Sequence, residues 1–197
     1  MKSILFPFVH ETDFSTGYAW SLELASRIKG HLSIFTTIPD GTREHYSLVY
    51  ESLIKARQFH LRRLGTLTLG KRPPSVTRNF LKGDFENTFV QFVVDTKFDV
   101  IVLPSEIVSD KTLKQLIHAH KQIICLPSDG LPSDGVDMKQ PAPTREAFFL
   151  EMLQRTACYN LPTSFFRLFG DDKSLFNSIA SFFLRPESDI TKLLHSQ

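Results

Sequence analysis

Five short apolar runs, separated by longer stretches with helical spacing, constrain this 197-residue chain more than any other feature. Ser3-Ile-Leu-Phe-Pro-Phe-Val9 is almost continuously apolar, as expected of a strand covered on both faces. A helix is predicted from a cap at Ser15 or Thr16 to about Lys29, with Trp20, Leu22, Leu24, Ala25 and Ile28 inward and Gly30 placed to end it. His31 to Ile38 reads as the second strand. A long helix over Thr42 to Leu64 follows, its Tyr46, Val49, Leu53, Ala56 and Phe59 spaced as one buried stripe. Val76 to Leu81 alternates with polar Thr77 and Asn79, which suits a strand near a sheet edge. Gly83-Asp84 turns into a helix over Phe85 to Thr96, and Asp99 to Pro104 forms the fourth strand. Ser109 or Asp110 caps a short helix through Ile117, and Gln122 to Pro127 is the fifth strand. Such β-α repetition with short connections predicts an α/β fold: a five-stranded parallel sheet with helices on both faces.

The texture changes after residue 127. Leu126-Pro-Ser-Asp-Gly130 repeats at once as Leu131-Pro-Ser-Asp-Gly135, and residues 128–143 read as a linker. Residues 144–197 are predicted to form an all-helical C-terminal extension, with helices over Glu146–Tyr159, Thr163–Phe169, Asp171–Leu184 and Glu187–Leu194. This stretch holds eight Phe residues yet is too short to build a core alone. It is therefore expected to pack on domain 1–127, on a second copy of the chain, or on another protein.

Charge is unevenly shared. The chain carries +2 in total, but residues 41–82 hold nine Lys/Arg against two Asp/Glu, for +7, and residues 83–197 hold 11 against 15, for −4. The basic stretch is expected to be a solvated helix face or a match for the acidic half, with an anionic ligand as the alternative. Its cations lie without the interleaved exposed aromatics of a single-strand binder, and Tyr46, Leu53 and Phe59 read as core, so nucleic acid is not an expected partner. No apolar run has the length of a membrane span, and the N-terminus lacks a signal peptide's apolar core. With Cys125 and Cys158 as the only cysteines, a disulfide framework is excluded and the cytoplasm is the expected setting. No metal site is expected: His118 and His120 straddle a helix end, with no carboxylate or cysteine cluster to complete a ligand set. His10-Glu-Thr-Asp13 follows the first strand and is expected to be a loop lining the pocket, with a general base as the alternative, and Cys125, inside an apolar strand, to be an inert thiol. No P-loop, dinucleotide fingerprint or nucleophile elbow occurs, and no catalytic residue is assigned.

Several segments together resemble a known family. Lys2-Ser-Ile-Leu-Phe-Pro7, Ser21-Leu-Glu-Leu-Ala-Ser-Arg-Ile28 and His31 to Pro39 resemble the opening of a universal stress protein. Phe80-Leu-Lys-Gly-Asp84, Phe98 to Leu103, and His118-Ala119 with Ile123 to Leu126 resemble its later strands and last helix, in the right order over residues 1–127. The resemblance implies a strand order of 3-2-1-4-5 and, in the nucleotide-binding branch, an ATP site at the carboxyl ends of the strands. An Asp of that site corresponds here to Val9, the backbone contact near adenine to Thr37, and the triphosphate loop begins at Ser105. That loop needs glycines, because only they let backbone N–H groups close on phosphate oxygens. Pro104-Ser-Glu-Ile-Val-Ser-Asp-Lys-Thr has none and adds Glu106 and Asp110 where phosphates would lie. The expectation is a non-catalytic binding or regulatory protein that has lost ATP binding and needs no cofactor. It is expected to be a homodimer, with the C-terminal extension and the fifth-strand edge as contacts. The alternative is a small-ligand or nucleotide-binding protein, a slow hydrolase included, using the cleft among Val9, Thr37 and Ser105.

Overall fold

A computed structural model of the chain describes residues 2–9, 15–38, 43–64, 74–127 and 145–162. Strands β1 (Ser3–Pro7), β2 (His31–Ile38), β3 (Ser75–Lys82), β4 (Val100–Pro104) and β5 (Ile123–Leu126) alternate with helices α1 (Ser15–Arg27), α2 (Arg43–Leu64), α3 (Phe85–Asp95) and α4 (Asp110–His118). Helix α5 (Arg145–Gln154) and a short β6 (Ala157–Tyr159) follow. The sheet order is β3-β2-β1-β4-β5-β6, with β1 to β5 parallel and β6 antiparallel to β5. The fold class and the order of the first five strands match the expectation; the strand count does not.

β6 corrects two expectations. The segment after residue 144 is not all helical, because the helix stops at Gln154 and Ala157-Cys-Tyr159 pairs with Cys125-Ile-Ile123. The Thr156 hydroxyl donates to the Leu153 carbonyl (2.8 Å), which ends the helical ladder, and Asn160 takes a left-handed φ of 55°. The Asn160 side chain then donates to the carbonyls of Ile117 and Lys121 (2.8 and 3.2 Å), tying the end of β6 to the end of α4. Consequently the edge of β5 is occupied by the chain's own strand, and it is not the free dimer contact expected from the sequence. The first compact unit runs from Met1 to Leu161, so α5 and β6 belong with the sheet. The linker 128–143, the loop at His10 to Asp13 and the helices expected after Thr163 lie outside the described residues.

Side-chain alternation splits the core into two layers. On one face Leu5, Phe35, Ile101, Leu103 and Ile123 pack with Phe89 and Val93 of α3 and Leu116 of α4. On the other face Tyr18 of α1 meets Phe6 at 6.2 Å between ring centroids. Gly17 comes so close there that a Cβ would lie 3.2 Å from the Leu126 Cδ1. The α1–β2 turn depends on a similar closeness: Lys29 takes the left-handed φ (50°), and a Cβ on Gly30 would meet the Lys2 carbonyl at 2.9 Å.

The α2 stripe is only partly as expected. Val49 and Leu53 are buried, but Tyr46 is 41% exposed. Its ring meets Phe80 edge-on at 5.7 Å, and β3 is the outermost strand, so nothing beyond it covers the pair among the described residues. The side chains of Ala56 and Phe59 lie outside the described residues.

Asp99 pins the amino ends of β1 and β4. Its carboxylate accepts from the Ser3 N–H (2.7 Å), the Ser3 hydroxyl (2.9 Å) and the Lys2 ammonium (3.2 Å). Burial pushes its pKa up, but the bonds from Ser3 and Lys2 outweigh that and hold it below the usual value. A depressed carboxyl contributes stability that is present above the unfolded-state pKa, near 4, and lost as pH falls through the folded value. Asp99→Asn should therefore cost about 1–2 kcal/mol at neutral pH, discounted for partial exposure. Urea melts of both forms from pH 7 downward check this: the gap should close in acid, and a gap that persists unchanged at the lowest pH would refute the assignment.

Candidate functional site

Three sequence-predicted positions fall into one row. Pro7 pairs with Phe35 and Leu5 with Ile101, so extending these registers sets Val9, Thr37 and Ser105 side by side at the carboxyl edge, all with the parity of Leu5. The Phe8 N–H continues the ladder to the Phe35 carbonyl (2.7 Å), and the Ser105 N–H binds the Leu126 carbonyl (2.7 Å). Thr37 is buried; Val9 and Ser105 are half-buried. The Ser105 Oγ itself is buried and has no hydrogen-bond partner among the described residues. A buried hydroxyl without a partner is uncommon and marks a place where a polar group fits.

The same edge receives the amino ends of α3 and α4, which is where an anion would be drawn by orphan N–H groups and the helix dipole. Both are already occupied by the chain's own carboxylates. Gly83, at a φ of 134° that suits only glycine, leads into Asp84, whose side chain caps α3 by accepting from the Asn87 N–H (3.0 Å). At α4 the Ser109 side chain accepts from the Thr112 N–H (3.3 Å). The Ser109 N–H in turn donates to Glu86 Oε1 at 3.0 Å, and the Ser109 hydroxyl makes a short bond to the same oxygen. Glu86 thus reaches from the first turn of α3 to the N-terminus of α4. The Ser109 and Thr112 hydroxyls hold its carboxyl below the usual range, against a smaller upward push from burial.

The loop between β4 and α4 reinforces this. Ser105 and Glu106 form a tight turn in which the Ile107 N–H returns to the Pro104 carbonyl (3.3 Å). Glu106 holds a left-handed φ of 68°, a position a glycine would fill more cheaply. With Asp110 in the first turn of α4, the edge presents Asp84, Glu86, Glu106 and Asp110, and no glycine cradle among the described residues.

Sequence reasoning anticipated Glu106 and Asp110 but missed Glu86. The only local signal was the Ser109-x-x-Thr112 cap; the 23-residue separation between Glu86 and Ser109 hides the pairing. Elsewhere, His118 and His120 are exposed near the end of α4, and no group of three or more His, Cys, Asp or Glu is arranged to hold a metal among the described residues. Burial pushes the thiols of Cys125 and Cys158 up to about 12, a setting of inert rather than nucleophilic sulfur. Because Cys158 pairs with Ile124, the two cysteines point to opposite faces of the sheet.

No family model matches the chain, and no curated protein matches it. Among solved structures, the chain is similar to a hypothetical protein, PH0823, known from a crystal structure: 20% identity, 64% of this chain and 96% of that one covered, TM-score 0.33.

Proposed function

We infer that the sheet domain is a non-catalytic binding or regulatory protein of universal-stress-protein type that has lost ATP binding. The observation that carries this reading is the pair of carboxylates, Asp84 and Glu86, seated on the amino ends of α3 and α4. A triphosphate brought to this edge would displace a charge-assisted hydrogen bond and face Glu106 and Asp110. A homodimer in a reducing compartment belongs to the same reading. Its contact lies away from β5, whose edge β6 fills. Thermal melting with about 1 mM Mg-ATP tests the loss of the site: the midpoint should stay within about 1 °C, and a rise of several degrees would overturn the reading.

The buried Ser105 hydroxyl favours a second reading, a small uncharged polar ligand in the row of Val9, Thr37 and Ser105. A thermal-shift panel of sugars, amides and nucleosides would separate the two. A hit abolished by Ser105→Val supports the ligand reading, and a panel without hits supports the first.

A further inference from the structure

The rim made by α2 and β3 carries a feature that neither reading uses. Tyr46 and Tyr50 are 41% and 51% exposed, and Ile54, one turn on, is exposed as well. The three lie on one stripe of α2, since positions four apart share a helix face. Tyr46 touches Phe80 of β3, and the Arg78 guanidinium stands 6.0 Å from the Tyr50 ring. The helix therefore runs antiparallel to β3, with Arg78 and Lys82 exposed beside the tyrosines. The acidic residues of this stretch, Glu44 and Glu51, sit about 100° or more round the helix from Tyr50.

This rim combines what the sequence appeared to lack: accessible aromatic rings interleaved with cations, inside a stretch of net charge +7. A second copy of the chain docked here edge to edge would bring two such stretches together, and self-repulsion opposes that. A polyanion is complementary instead, and one with flat unpaired bases uses the rings as well as the cations. The geometry points to single-stranded nucleic acid as the occupant. It binds without sequence preference, with bases on Tyr46 and Tyr50 and phosphates on Arg78 and Lys82. The proposal does not rest on the row of Val9, Thr37 and Ser105, although Lys82 ends β3 opposite Ile38, the neighbour of Thr37, at the carboxyl edge.

Fluorescence anisotropy of the full chain with a labelled oligothymidine of about 20 nucleotides tests it. The expected dissociation constant is micromolar at about 50 mM salt, and two phosphate contacts would weaken it roughly sevenfold by 200 mM. Tyr50→Ala should weaken binding about tenfold without changing the salt slope, while Tyr50→Phe keeps the ring and the affinity. Arg78→Gln with Lys82→Gln should flatten the slope by about one to two. Tyr50 is exposed, so its variants should melt with the parent. Absence of binding at low salt, or affinity indifferent to Tyr50→Ala, would overturn the proposal. Equal affinity for a duplex would do the same. So would competition by polyglutamate at equal charge, which would mark the rim as a site for an acidic protein.

Discussion

Chains ended at Pro143 should aggregate or melt far below chains ended at Leu161. The difference isolates α5 and β6. Phe149, Met152 and Leu153 of α5 are buried. Phe149 lies flat on Trp20, with centroids 5.1 Å apart and planes 3° from parallel, and its carbonyl accepts the Trp20 indole N–H at 3.1 Å. At about 1.5–3 kcal/mol per large apolar side chain, losing α5 removes several kcal/mol, against a typical domain stability of 5–15. It also strands the Trp20 N–H without its acceptor and uncovers the indole. Losing β6 opens the edge of β5, an apolar strand whose backbone groups would then be free to pair with another chain. Phe149→Ala is the point version of the same test and should cost about 3–5 kcal/mol by denaturant melting. A Pro143 truncation that stays soluble, monomeric and as stable as the full chain would show that α5 contributes nothing to the sheet unit.

The residues themselves explain which parts of this fold were legible. Strand β2 was found with its bounds intact because His31 to Ile38 is long, apolar and fenced by Gly30 and Pro39. Strand β6 was not, for three reasons. Three residues show no period, the preceding helix ends at neither Gly nor Pro, and the pairing that defines the strand is with β5, more than 30 positions earlier. Val49 and Leu53 obeyed the helical stripe while Tyr46 did not, because spacing says which residues share a face but not where a sheet stops. In the loop after β4, the absence of glycines was visible in the string, yet the plug at α4 was invisible. Glu86 looked like an ordinary acidic residue in a first turn, and only the packing of α3 beside α4 brings it to Ser109.

Arg27→Met should destabilise the chain by about 3 kcal/mol, because it leaves a buried carboxylate without its cation. Glu23 is 1% exposed and accepts from the Arg27 Nε at 2.7 Å, one helical turn away on α1. The same guanidinium sits 4.3 Å from the centre of the Phe149 ring. Arg27 thus serves two partners: it neutralises Glu23 and caps the aromatic that fastens α5 to α1. The planar guanidinium is suited to both tasks, so Arg27→Lys should recover only part of the loss. Replacing both members, Glu23→Gln with Arg27→Met, removes the stranded charge and should be less harmful than Arg27→Met alone. A double-mutant cycle by urea melting reads the coupling, expected at about 1.5–3 kcal/mol. Adding Phe149→Leu to each corner then separates the two tasks. If the ring matters to Arg27, the penalty of Arg27→Met shrinks in that background; if the penalty is unchanged, the ion pair alone accounts for it. A coupling near zero would mean that Glu23 is held by its other contacts, and the role given to Arg27 would fail.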